Sequence, residues 1–160
     1  MRQVEDYKRK FLVVIDESEE CERAVAFAAY RVRRTGGTIV FLTVIDTADF
    51  QGFLGVEEVM RAEALEAAER LIDTRIAQVK RIGELQVETV IREGRVAEAV
   101  EGLIGEDKGI AILVLASSTA ADGPGELINA FITRGGSTRL PIPVTIVPGT
   151  MADAEIEAVC

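Results

Sequence analysis

Phe11-Leu12-Val13-Val14-Ile15 is a short, continuous apolar run, and Asp16-Glu17-Ser18-Glu19 follows it directly. An apolar run of this length without polar alternation is typical of a strand buried on both faces of a sheet. The acidic and hydroxyl side chains that follow favour a helix start, because they can accept hydrogen bonds from its first amides. The segment predicts a strand leading into a helix, with Asp16 interpreted as the helix N-cap.

The segment after Glu19 has the spacing of an amphipathic helix. Its apolar residues fall at i, i+3, i+4, i+7, i+8 and i+11, which places them on one face; they are Cys21, Ala24, Val25, Ala28, Ala29 and Val32. Thr35-Gly36-Gly37 predicts the end of this helix, because glycine readily adopts the left-handed conformation found after helix C-termini. Cys21 is interpreted as a buried and unreactive small side chain.

The same alternation of strand and helix continues along the chain. Further strands are predicted over 38–45, 85–91, 110–116 and 144–147, and helices over about 56–81, 97–104 and 126–134. The third strand is more polar and is placed near an edge, whereas the fourth is the most apolar and is placed centrally. Five strands separated by helices predict one α/β domain, residues 1–150, with a parallel sheet and helices on both faces.

Residues 151–160 form an acidic C-terminal segment that we predict to fray, with Cys160 exposed.

The net charge of the 160-residue chain is −9, from 27 acidic and 18 basic residues. That charge disfavours nucleic acids and anionic membrane surfaces as partners. No apolar run approaches the ~18 residues of a membrane span, and no signal peptide begins the sequence. We expect a cytoplasmic protein.

The residue types available limit the chemistry. The chain has no histidine, which excludes Ser-His-Asp and Cys-His catalysis and removes the commonest zinc ligand. Its two cysteines, Cys21 and Cys160, are too few for a disulfide framework or an iron–sulfur cluster. We therefore expect no enzymatic activity, no catalytic residue and no metal ligand.

A ligand site is expected at the rim beyond the carboxyl ends of the strands, where the order of a parallel sheet reverses. The candidates on this rim are Asp16, Val44, Gly94, Ser117, Gly123 and Gly125. Each has a simpler structural interpretation: Asp16 as the helix cap, Val44 as core and Gly94 as a turn glycine with positive φ. Gly123-Pro124-Gly125 is either an anion-binding helix start or an ordinary loop.

Five segments, taken in order, resemble the successive signatures of the universal stress protein family and together span about residues 10–148. They are 13–20, 42–46, 92–94, 111–115 and 140–144. The resemblance implies a five-stranded, Rossmann-like sheet of the adenine nucleotide alpha hydrolase type, in the order 3-2-1-4-5. It also implies a homodimer and, in one branch of the family, bound ATP, with Asp16 accepting a hydrogen bond from the adenine amino group.

Members that bind ATP carry a glycine motif after the fourth strand: Gly, two residues, Gly, nine residues, then Gly with Ser or Thr. Glycine is needed there because phosphates must approach backbone amides closely. A gapless count places Ser117, Ala120, Ala130 and Phe131 at these positions, and none is glycine. A shifted count through Gly125 and Gly135 leaves only 136–140 for the final helix. The gapless count is preferred, so tight ATP binding is not expected and no cofactor is predicted.

The favoured function is a non-enzymatic stress-response protein that binds or regulates an unknown protein partner. Its homodimer is expected to form through the last strand, Val144-Thr145-Ile146-Val147, because a short apolar edge strand recruits another strand. One alternative is an ATP-binding member acting as a nucleotide-dependent switch. The other is a flavodoxin-like domain that binds flavin, which the absence of Trp and the anionic segment 16–19 disfavour.

Overall fold

The computed structural model describes residues 2–50, 55–120, 123–132 and 140–160, with Asp49 described by its backbone alone. Five strands lie within these ranges: β1 Lys10–Val14, β2 Thr38–Ile45, β3 Val87–Glu93, β4 Ile110–Ala116 and β5 Val144–Val147. The α-helices of the same ranges are α1 Cys21–Thr35, α2 Glu57–Ile82, α3 Val96–Glu106, α4 Glu126–Phe131 and α5 Asp153–Val159. Short 3-10 turns cover Val4–Asp6 and Thr47–Phe50.

The five strands form one parallel sheet in the order β3-β2-β1-β4-β5. The prediction of this order, with helices on both faces, is confirmed. The polar strand β3 lies at an edge, as expected. The strand predicted over 110–116 is an interior strand, as expected, because β4 pairs with β1 on one side and with β5 on the other. The middle position belongs to β1.

Each inner strand contributes to two cores. Phe11, Val13 and Ile15 pack with α1, α2 and α5, whereas Leu12 and Val14 pack with α3 and α4. Successive side chains of a strand point to opposite faces, so a strand covered on both faces must be apolar throughout. This arrangement explains the unbroken apolar run at 11–15. No helix among the described residues is both long and apolar enough to cross a membrane.

The C-terminal residues are part of the core. Helix α5 packs against α1, with Ile156 fully buried and Cys160 only 7% exposed. The backbone amide of Ala152 donates to Glu155 Oε1 at 3.0 Å, which holds the start of α5. The prediction that 151–160 frays with Cys160 exposed is therefore wrong. The acidic residues suggested a solvent-exposed tail, but the buried residues Ile156 and Cys160 lie four positions apart and therefore share one face.

Arginines of α1 bind the acidic side of α5. Arg23 Nη1 lies 2.7 Å from Asp153 Oδ1, and Arg33 Nη2 lies 2.6 Å from Glu157 Oε1. Arg23 Nη1 also donates to the Met151 carbonyl oxygen at 2.9 Å. Exposed ion pairs stabilise a fold weakly. Both acids are more than half exposed, so we expect the apolar contacts of Ile156 to supply most of the stabilisation of α5.

Both thiols are buried, and we expect neither to react in the native protein. The Cys21 thiol donates to the Val14 carbonyl at 3.6 Å, and burial raises its pKa to about 11. The Cys160 thiol donates to the Phe27 carbonyl at 3.6 Å, and burial raises its pKa as well. Because the thiolate is the nucleophile, Ellman's reagent at pH 8 should titrate both thiols only after denaturation. Rapid reaction of one native thiol would contradict this packing.

Thr43 carries a buried hydroxyl without a hydrogen-bond partner among the described residues, and its side chain is 5% exposed. Thr43→Val keeps the shape and removes the unsatisfied oxygen, so we expect the free energy of unfolding to rise by about 1 kcal/mol. Urea denaturation measures this change. Thr38→Val, on the same strand but only half-buried, serves as the control and should change stability by less than about 0.5 kcal/mol.

Candidate functional site

A cavity of about 630 Å³ opens beyond the carboxyl ends of β1 and β4, where the strand order reverses. Its volume falls within the range of small-molecule binding sites, and its position is the usual one in parallel sheets. The strand ends form its apolar floor with Val14, Ile15, Val114, Leu115 and Ala116. Its walls come from α1, α3 and α4, with Cys21, Ala24, Val96, Ala97, Leu127 and Ile128.

Four carboxylates and one guanidinium of the described residues line the same cavity. They belong to Asp16, Glu20, Asp46, Glu126 and Arg95. None of the five takes part in an ion pair within the described part of the chain. Among these five side chains, the negative charges exceed the positive charge by three.

Asp16 lies on the cavity wall but does not cap α1. Its Oδ1 accepts hydrogen bonds from the Ser18 amide at 3.0 Å and from the Ser18 hydroxyl at 2.5 Å. Helix α1 begins only at Cys21, and the preceding Glu20 makes no side-chain capping hydrogen bond. The N-cap interpretation of Asp16 is therefore wrong. The aspartate instead closes a turn between β1 and α1, the local bond that short carboxylates form with the amide two residues on.

Val44 and Gly94 lie close together in the fold but have different roles. Val44 lines the cavity and also packs against the core formed with α3 and α4. Gly94 has a φ of +127°, as predicted for a turn glycine, and its amide donates to the Ile45 carbonyl at 2.9 Å. Gly94 is not among the lining residues, whereas the next residue, Arg95, is.

The loop after β4 contains residues that line the cavity and residues that do not. Ser117 Oγ accepts from the Gly149 amide at 3.2 Å, and the Ser117 amide donates to the Val147 carbonyl at 2.9 Å. Ser117 thus faces the chain after β5 and does not line the cavity, and Gly123 does not line it either. Gly125 does, with a φ of +117°. Five residues of this loop and of the segment after Ile132 lie outside the described residues: the acidic Asp122, the basic Arg134 and Arg139, Gly135 of the shifted ATP-motif count, and Gly136.

Sequence reasoning missed Glu20 and Arg95. Each stands just after a turn that follows a strand, so the rule that ligands bind beyond strand ends could have included them. The apolar spacing that predicts the strands and helices carries no information about charged side chains in these turns, although Glu20 lies within the 13–20 signature. Among the described residues, no group of three or more Cys, Asp or Glu side chains is arranged to hold a metal ion.

Several solved structures share this fold. Universal stress protein UspA from Lactobacillus plantarum superposes with a TM-score of 0.72 at 16% identity, over 88% of this chain and 98% of that one. A universal stress protein family member from Burkholderia pseudomallei gives 0.66 at 20% identity, over 91% and 99%. A universal stress protein in complex with cAMP gives 0.60 at 17% identity, over 86% and 95%.

No curated protein sequence matches the chain. At identities of 20% or less, the solved structures show a shared fold and nothing more specific. The family model described as the universal stress protein family matches residues 8–148, which include all five strands and helices α1 to α4. The chain belongs to the universal stress protein family.

Proposed function

We propose that this universal stress protein is a non-enzymatic binding or regulatory protein that acts as a homodimer and does not hold ATP tightly. The observation that carries the proposal is the cavity beyond β1 and β4, which combines apolar walls with an excess of carboxylates. The chain has no histidine, so it lacks the residue that most often serves as a general base near neutral pH.

Two features around α4 argue against a polyphosphate. Helix α4 has only six residues, and Phe131 packs its side chain into the core where the ATP motif has a hydroxyl. At the start of α4, Glu126 carries a negative charge, and a Cβ built at Gly125 would lie 3.7 Å from Glu20 Oε1. Phosphates placed at this helix start would lie close to the carboxylates of Glu20 and Glu126, which repel them.

Isothermal titration with ATP tests this part of the proposal. We expect no binding, or a Kd well above 10 μM. A Kd at or below about 10 μM, roughly 6.8 kcal/mol of binding, would contradict it. Neutralising both acids with Glu20→Gln and Glu126→Gln should strengthen any residual ATP binding by about tenfold. Phe131→Ser is not a suitable variant, because emptying this buried position would cost about 3 kcal/mol of stability.

The homodimer is proposed to form at β5. This strand pairs with β4 on one side, and no strand of the described residues pairs with its other side. Ile146 is 39% exposed there, whereas Val147 is buried against α1 and α5. An exposed, uncharged edge strand is a site where a second copy can add its own strand.

Sedimentation equilibrium at micromolar concentration tests the dimer. We expect a particle of twice the chain mass of 17.3 kDa. Ile146→Glu should yield monomer, because it places a charge at the strand edge. Val59→Glu, at an exposed valine on α2, is the matched control and should remain dimeric. If the unmodified protein sediments as a monomer, the proposal of a homodimer is wrong.

A nucleotide-dependent switch is the second candidate. The structure of a universal stress protein with cAMP favours it, since that fold can accept a nucleotide with a single negative charge. In this chain, Arg95 would be the residue available to pair with that charge. Titration with cAMP alongside ATP separates the candidates, because binding of cAMP alone would support the switch. A flavodoxin-like role would require bound flavin, which visible absorbance detects at once.

A further inference from the structure

We propose that the cavity beyond β1 and β4 binds an organic cation, a molecule with an apolar body and a protonated amine. This rests on the proposed binding function, because it names the ligand class of the same cavity. The carboxylates would not define a site by themselves. The cavity defines the site, and the charges around it determine which ligands it accepts.

The apolar floor and walls of the cavity indicate that the ligand has an apolar body. The strand ends of β1 and β4 supply branched aliphatic side chains to the floor, and Val96 and Ile128 face them from α3 and α4. A cavity of about 630 Å³ leaves room for a two-ring body with a short side chain. Such a body displaces water from surfaces that offer it few hydrogen bonds, which favours binding.

The hydrogen-bond acceptors around the cavity indicate that the ligand carries a positive charge. Asp16 uses Oδ1 for Ser18, and Asp46 uses Oδ1 for the Ala48 amide at 2.9 Å. The other oxygen of each has no such bond in the described residues. The carboxylates of Glu20 and Glu126 have neither a hydrogen bond nor an ion pair there. An ammonium group has three donors and no acceptor, which matches acceptors left open in this way.

An anion would experience the opposite electrostatics. Among the residues that the structure describes, it would meet four carboxylates and one cationic side chain, Arg95. Asp16 and Glu20 are half-buried, whereas Asp46, Glu126 and Arg95 are exposed, so solvent and salt partly screen the negative field at the cavity. Between ligands with the same apolar body, a positive charge should therefore increase the affinity and a negative charge should lower it.

Fluorescence titration with three dansyl probes tests the proposal. Dansylcadaverine carries an amine, its N-acetyl derivative is neutral, and dansyl-6-aminohexanoate is an anion, while the apolar body stays the same. We expect the amine to bind about tenfold more tightly than the neutral probe and more tightly still than the anion. About 0.5 M NaCl should reduce this preference. Equal affinities, tighter binding of the anion, or no binding of any probe would overturn the proposal.

Variants with altered charge test whether the carboxylates around the cavity cause the preference for the amine probe. Glu20→Gln combined with Glu126→Gln should reduce the preference for the amine to about threefold or less. Glu101→Gln, an exposed position on α3 outside the cavity, is the matched control and should leave it unchanged. Arg95→Gln should increase the preference, and this arm keeps the test valid if the double variant fails to fold. The ATP titration is independent, so the proposed function can fail while the cation preference holds, and the reverse.

Discussion

Gly149→Ala should lower the free energy of unfolding by about 3 kcal/mol, at the upper end of the range for forced packing. A Cβ at this position would overlap the Ser117 carbonyl oxygen and lie 3.1 Å from Thr119 Cγ2. The obstacle is backbone, which cannot rotate away as a side chain can. The Gly149 amide also donates to Ser117 Oγ, so a shift of this segment would break that bond.

Urea denaturation measures the effect, and Gly102→Ala is its control. Gly102 lies on the exposed side of α3, and a Cβ there would meet nothing within 4 Å. That substitution should raise stability by about 0.5–1 kcal/mol, because alanine is the better helix former. Similar effects of the two substitutions would show that the Gly149 segment does not lie against the loop after β4.

Ile156→Ala should also cost about 3 kcal/mol, within the range for removing a fully buried isoleucine side chain. The effect follows from the packing of α5 against α1. Val159→Ala, on the same helix but 56% exposed, should change stability by less than about 0.5 kcal/mol. Equal effects of the two variants in urea denaturation would contradict the orientation of α5.

Thiol reactivity reports whether α5 loosens by itself. If Ile156→Ala only weakens the attachment of α5, Cys160 should become reactive to Ellman's reagent while Cys21, at the start of α1, remains protected. Simultaneous exposure of both thiols would instead indicate that α5 unfolds together with the rest of the domain. Either result identifies the unit of unfolding to which α5 belongs.

The sheet was predictable because the burial of strand and helix faces requires apolar residues at a regular spacing along the sequence. The run at 11–15 and the stripe of α1 follow from packing between two layers, and any chain with that packing needs such residues. The C-terminal helix α5 was missed because seven residues are too few to show a clear helical spacing of apolar side chains. Its acidic side chains suggested that the segment is exposed to solvent. Two of these acids, Asp153 and Glu157, pair with arginines of α1 that are more than 120 residues away in sequence. No local pattern contains that information.

The candidate site was only partly predictable. Asp16, Val44 and Gly125 line the cavity because strand ends and the following turns meet there in any parallel sheet. Ser117 and Gly123 stand in a loop, and which side of a loop faces a cavity depends on its neighbours. Here the chain after β5 holds Ser117 through Gly149. The sequence of the loop alone gives no sign of that contact.

The packing of α5 on α1 also affects the chain during its synthesis. Phe27 and Cys160, which touch in the folded protein, are 133 residues apart. At 5–20 residues per second, the ribosome needs roughly 7–27 s to make the intervening segment. Throughout that interval, the side of α1 that α5 will cover has no partner. The nascent protein therefore exposes an apolar helix face for many seconds, which is the kind of surface that chaperones bind and that promotes aggregation.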